Sequence, residues 1–154
     1  MKGQSVPRAW NGKERILTSE KWVELTLMVG GNKPEELQEI LKDLESSIPE
    51  IEAAAIVSAE GLPIASALPR DIDETRVAAM TAAMLSLGER AAAELRKGEL
   101  EQVFVKGTQG FIISMSAGEN AVLTVSATSD VKLGLIFLDM KRTATRILGV
   151  LEGK

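Results

Sequence analysis

GELEQVFVKGTQGFIISMSAGENAVLTVSA, residues 98–127, holds three strand-forming runs at hairpin spacing. The runs are Gln102–Lys106, Phe111–Ser116 and Ala121–Ala127. Their Val, Ile, Phe and Thr side chains suit a pleated, half-buried surface. Gly107-Thr108-Gln109-Gly110 and Ala117-Gly118-Glu119-Asn120 separate them, and both are turn chemistry. Strands joined by connections this short run antiparallel, because a parallel pair needs a long crossover.

Upstream lies a second strand pair. Ala53–Ser58 and Leu62–Ser66 flank Ala59-Glu60-Gly61, with glycine where a tight turn needs positive φ. Pro63 cannot donate to a ladder, which makes its run an edge strand or a strand start. Helical signals surround these pairs. Asn32-Lys33-Pro34-Glu35-Glu36 reads as a helix start: a capping residue, proline in the first turn, then acids favoured by the dipole. Leu37, Ile40, Leu41 and Leu44 form its apolar stripe, and Pro49 closes it. Asp71-Ile72-Asp73-Glu74 has capping-box spacing and opens the longest helix, about 72–97, closed by Lys97-Gly98. Val77, Met80, Met84, Leu87, Ala91 and Leu95 recur at three- and four-residue spacing and are expected to form its buried face. Ser129-Asp130 caps a last helix, about 131–151, with Leu133, Phe137, Met140, Ala144, Ile147 and Leu151 on one stripe. The order α-β-β-α-β-β-β-α, with helices set apart from runs of strands, is an α+β pattern.

Residues 1–33 differ from the rest. They carry six basic and three acidic residues, a net of +3 against −4 for the whole chain. WVELTLMV at 22–29 alternates like a short strand. We read 1–33 as an appendage of low order or one short strand, and 34–151 as the domain. The N-terminus has no apolar core of a secretory signal. The run Leu133–Leu138 is far short of the ~20 apolar residues that span a bilayer. A cytoplasmic location is the plain expectation.

Composition excludes several chemistries. The 154 residues include no cysteine and no histidine, so disulfides, thiolate metal sites and the commonest general base are absent. Eighteen basic residues against 22 acidic ones lack the excess of a nucleic-acid binder. No Gly-x4-Gly-Lys-Ser/Thr occurs, so the chain is not itself a P-loop GTPase. Ser129-x-x-Lys132 lacks the partner motifs of acylated serine hydrolases and reads as a helix cap. Asp71 and Asp73 are explained by capping. We expect no enzyme activity, no cofactor and no metal.

The long helix has more than a buried face. Ala79, Ala83 and Ser86 make a second flank nearly free of bulk, and Ala78, Ala82, Ala92 and Ala93 extend it. Alanine is the best helix former, which accounts for part of this. Small side chains also admit close helix approach, and Leu85, expected to be exposed, points to a second packing partner.

Three stretches together resemble the roadblock family, which includes dynein light chains and prokaryotic MglB-type regulators of Ras-like GTPases. They are IPEIEAAAIVSAEGLPIAS at 48–66, GELEQVFVKGTQGFIISMSAGENAVLTVSA at 98–127 and KLGLIFLDMKRTATRIL at 132–148. The resemblance spans about residues 34–151. It implies a five-stranded antiparallel sheet with the long helix on one face and two helices on the other. It also implies homodimerisation by pairing the middle strand and the long helix with their symmetry mates. On that basis Ala79, Ala83, Ser86, Arg90 and Phe104 are candidate dimer-interface residues. Ala78, Leu85, Glu89 and Arg96 are the candidate partner-binding surface. The function implied is regulation or scaffolding of a Ras-like small GTPase. A structural adaptor of dynein-light-chain type, blind to nucleotide state, is the alternative. A small-molecule sensor in a sheet–helix crevice has less support, since few polar or aromatic residues converge.

Overall fold

The computed structural model describes residues 33–153. The strand expected at 22–29 and all of the appendage but Lys33 lie outside the described residues. Eight elements follow in the expected order: helix α1 (Lys33–Ser47), strands β1 (Ile51–Ser58) and β2 (Pro63–Ala67), helix α2 (Glu74–Glu94), strands β3 (Val103–Gly107), β4 (Gly110–Ser116) and β5 (Ala121–Thr128), and helix α3 (Leu133–Leu151).

The strands form one antiparallel sheet in the order β2-β1-β5-β4-β3. Gly61 takes φ 97° in the β1–β2 turn, as its place there required. Pro63 opens β2, which is an edge strand. Thr108-Gln109 make the two-residue turn between β3 and β4. The long-range pairing of β1 with β5 brings the two hairpin groups into one sheet.

The two faces of this sheet are unlike. Ile56, Phe111, Ile113, Met115, Leu123 and Val125 point to one side and join α1 and α3 in the larger core. The stripe Leu37, Ile40, Leu41, Leu44 of α1 is buried there. On α3 the buried residues are Ile136, Met140, Thr143, Ala144 and Ile147, with Leu133, Phe137 and Leu151 half-buried beside them. The other face carries Ala55, Val57 and Val122, which pack on Ala78 and Leu85 of α2 in a second, smaller core. Ser114 and Thr124 sit opposite each other in β4 and β5, with their hydroxyl oxygens 2.7 Å apart.

Helix ends differ from expectation in detail. Asp73 is the N-cap of α2, its Oδ1 accepting the Thr75 N–H at 2.9 Å, so Asp71 and Ile72 precede the helix. At the other end the Lys97 N–H donates to the Ala92 carbonyl and the Arg96 N–H to that of Ala93. This is a Schellman closure, and its left-handed residue is Arg96, at φ 58°, rather than glycine. Ser129-Asp130 does not cap α3. Asp130 instead accepts the Thr128 hydroxyl, and α3 starts at Leu133 after Lys132, without a side-chain cap.

Candidate functional site

Helix α2 has two apolar faces, and the one that meets the sheet is not the one with the larger side chains. Ala78, Thr81 and Leu85 are its buried residues. Met80 and Leu87, expected inside, are 58% and 66% exposed, and Leu95, the C-cap, is exposed as well. Leu85, expected on the surface, is only 7% exposed. The cause is backbone approach. A Cβ on Gly88 would lie 2.8 Å from Val103 Cγ2 and 3.1 Å from Leu100 Cδ2. The helix therefore turns its small residues, Ala78, Thr81 and Gly88, inward and sits close on β3 and its approach. An isolated glycine inside a helical pattern costs helix propensity, and Gly88 is the one signal in the sequence that could have found this packing.

This corrects the partner-binding candidates. Ala78 is fully buried and Leu85 nearly so, and neither can meet a partner. Glu89 and Arg96 are exposed. Glu89 lines an open groove of about 710 Å³ past the end of α2, shared with Ser86, Glu99 and Glu119. The dimer candidates fall differently. Ala79, Ala83, Ser86 and Arg90 are all exposed and lie on the outward side of α2. Met80 and Leu87 flank them. Phe104, on β3, stacks on Phe111 at 5.1 Å between centroids and meets Phe137 edge-on at 6.0 Å. It thus sits at the margin of the two-helix face, and α2 covers the opposite face.

The sheet has one closed edge and one open one. At β2, Pro63 has no N–H to offer, and Gln38 Nε2 donates to the Ser66 carbonyl at 2.7 Å. Ser66 Oγ donates to Glu74 Oε1 at 2.9 Å. At β3 no described element lies beyond the strand. In a two-residue hairpin the closing pair is hydrogen-bonded and the pairs alternate from there. Gly107 lies opposite Gly110, so Phe104 and Lys106 turn their backbone N–H and C=O away from β4. Val105 and Ile112, exposed on the α2 side of β3 and β4, continue the apolar surface towards Met80 and Leu87.

Between the first half of α2 and the sheet lies a cavity of about 280 Å³. Its sheet side is Ala53, Ala55, Ile112, Thr124 and Ser126; Val77, Met80, Thr81 and Met84 roof it, and Leu68 and Ile72 close one end. Small strand residues cannot fill the ~10 Å between packed layers, which is why space remains. Among the described residues no group of three His, Cys, Asp or Glu is placed to hold a metal ion. Nor is any described helix long and apolar enough to cross a membrane.

Comparison with known proteins agrees with this geometry. The profile of the Roadblock/LC7 domain matches residues 37–127. An uncharacterized protein of Methanocaldococcus jannaschii is 41% identical over 97 residues, covering 63% of this chain and 84% of that protein. Among solved structures, the gliding protein MglB of Thermus thermophilus superposes with a TM-score of 0.73 at 19% identity, over 80% of this chain and 94% of that one. A Roadblock/LC7 domain from Streptomyces avermitilis gives 0.71 at 20% identity, over 75% and 97%. At these identities the two structures speak to the fold.

Proposed function

The chain belongs to the Roadblock/LC7 family, and from that premise we propose that it is a homodimeric, non-enzymatic binding protein of the cytoplasm that regulates or scaffolds a Ras-like small GTPase. One observation carries the dimer: the open β3 edge continues into the apolar outward side of α2, while the β2 edge is closed. Unpaired strand groups and exposed apolar side chains both lower their free energy when a second copy covers them. Pairing β3 with its symmetry mate joins two five-stranded sheets and lets Ala79, Ala83, Ser86 and Arg90 approach the second α2. Phe104 meets the partner on the opposite face. Outward-turned residues must face one another across such a seam. The two-fold axis then passes through Val105, setting Phe104 opposite Lys106 of the other copy, or through Phe104. An axis at Lys106 would oppose like charges directly.

A small GTPase meets the outer surface of the α2 pair, with Glu89 and Arg96 at its margin. Regulation follows from preferring one nucleotide-dependent switch conformation, since only differential affinity shifts an equilibrium. Arg76 and Arg90 are exposed on a helix flank, a setting for interface contact rather than for reaching into a nucleotide pocket. The absence of a basic excess leaves nucleic acid outside the expected partners.

The natural chain has no cysteine, so single-cysteine variants test the seam without background. Cα atoms of facing residues lie about 4.5–5.5 Å apart in an antiparallel pair, within reach of a disulfide. Oxidation should cross-link Val105→Cys or Phe104→Cys to a dimer of about twice 16.5 kDa, and Glu119→Cys not at all. Failure of both strand variants to cross-link overturns the β3 seam. Titration with Ras-like GTPases loaded with GDP or a GTP analogue then tests the regulator. Equal affinity for the two forms supports the adaptor alternative instead.

A further inference from the structure

Beside the C-terminal half of α2 lies the groove of about 710 Å³ that Glu89 shares with Glu99 and Glu119. Leu85, Leu100 and Val122 make its floor apolar. Its rim carries those three carboxylates and no cation. None of the three makes an ion pair among the described residues, and they are not grouped to hold a metal ion. The groove stays open in the dimer proposed above. No β3 residue lines it, and Ser86 is its only seam candidate. The rest lies over the ends of β1, β4 and β5, on the flank of α2 turned away from Met80 and Met84.

Two observations identify what fits it. The first is charge. Residues 1–32 carry five basic and three acidic side chains, and the excess sits ahead of Ile16: Lys2, Arg8, Lys13 and Arg15 against Glu14 alone. The stretch RAWNGKER, residues 8–15, holds three of these cations around Trp10. The second is where the described chain begins. Lys33 is buried, and its Nζ donates to the Leu151 carbonyl at 3.4 Å. One turn back on α3, Leu148 occupies the space beside Gly118, where an added Cβ would lie 2.5 Å from Leu148 Cδ1. Gly118 lines the groove with Glu119. The chain therefore enters the domain at the end of the sheet that holds the groove. Residues 16–32, extended, span up to roughly 56 Å, about twice the length of α3, so residues 8–15 reach the groove of their own copy.

We propose that residues 8–15 dock in this groove, with Trp10 on Leu85, Leu100 and Val122 and with Arg8, Lys13 and Arg15 at Glu89, Glu99 and Glu119. An indole offers a large apolar body for such a floor. Exposed ion pairs are individually weak, but the tether holds the segment at roughly millimolar effective concentration, so weak contacts suffice. The docked segment covers Glu89 and excludes a GTPase from that margin of α2; this consequence rests on the function proposed above, and the docking does not.

The chain has no cysteine, so a pair placed by substitution measures the docking without any GTPase. Asn11→Cys with Ser116→Cys, which lines the groove, is compared with Asn11→Cys with Thr145→Cys, which is exposed on α3 within two turns of Leu151. Full-length chains are equilibrated in a glutathione buffer, and the disulfide fraction gives the effective concentration of each pair. The groove pair should exceed the α3 pair at least about tenfold, since the tether alone favours neither. Glu89→Gln/Glu99→Gln/Glu119→Gln should lower the groove pair at least about threefold without lowering the α3 pair. Salt at ~1 M should act alike by shortening the screening length to about 3 Å. Arg8→Glu/Lys13→Glu/Arg15→Glu should give the same loss from changes outside the described domain. Both tryptophans precede Lys33, so in Trp22→Phe the emission reports Trp10 alone, and it should shift to the red in each charge variant. Equal effective concentrations for the two pairs overturn the proposal, and so does a groove pair indifferent to charge. A groove disulfide that joins two copies rather than closing one chain also overturns it, since the segment of the second copy is then the occupant.

Discussion

Leucine 85 and leucine 87 are two positions apart on α2, and their truncation should have opposite consequences. Leu85 packs with Ala55, Val57, Ala78 and Val122 and is 7% exposed. Leu→Ala at buried sites costs about 2–5 kcal/mol, from lost transfer energy plus the cavity left behind. Leu85 also borders the groove past α2, so its surroundings can partly relax, and we take about 3 kcal/mol. At roughly 2–4 °C per kcal/mol for a chain of this length, the midpoint should fall by roughly 6–12 °C. Leu87 keeps two-thirds of its surface in water within one copy, so its truncation should cost the monomer at most about 1 kcal/mol. Its effect belongs to association, where covering the same side chain adds to the dimer. Chemical denaturation below the dimerisation range, paired with sedimentation equilibrium above it, separates the two. Leu85→Ala should lose folding stability and keep its dimer constant within about threefold. Leu87→Ala should keep folding stability and dissociate at least about tenfold more readily, about 1.4 kcal/mol. A Leu87→Ala variant that unfolds as easily as Leu85→Ala would refute the assignment of the inward face of α2.

Gly88→Ala should destabilise by about 1 kcal/mol, because the contact of its Cβ with Val103 outweighs the gain in helix propensity; urea denaturation decides, and stabilisation would show that α2 can lift off β3 freely. Arg96→Gly should stabilise by about 0.5–1 kcal/mol by relieving a left-handed L-residue, while Arg96→Ala should not. Comparing the two in thermal melts and in partner binding separates the backbone role of this position from its side chain. Burial raises the Glu45 carboxyl above its ordinary range, so the folded chain holds that proton more tightly than the unfolded chain does. Stability from this group is therefore full in acid and lost as pH rises through the raised value. Glu45→Gln should melt slightly higher than the parent at neutral pH, and the gap should close in acid.

Local signals determined most of the architecture. The α1 stripe Leu37–Leu44, the Gly61 turn, Pro63 as an edge strand or strand start, and the short Gly107–Gly110 connection each follow from short-range chemistry: periodicity, backbone freedom and missing donors. Those are properties of a few adjacent residues, so the chain written alone displays them. The small flank Ala79, Ala83, Ser86 of the long helix was also legible as a feature in search of a partner, whereas the open edge of β3 follows from the sheet order. The resemblance to the roadblock family rested on the same pattern of apolar and glycine positions.

The face of α2 was decided only in three dimensions. Nearly every side of that helix carries alanine, leucine or methionine, so its periodicity fits more than one inward stripe. The choice depended on what the sheet offers opposite it, and that depends on β1 pairing with β5 across more than sixty residues of chain. This pairing sets Ala55, Val57 and Val122 beside one another and brings Val103 against Gly88, so the helix closes on its small residues and leaves Met80 and Leu87 outside. The same juxtaposition of short strand residues leaves the cavity beneath Thr81. A void is a property of two facing layers, and neither layer's sequence contains it.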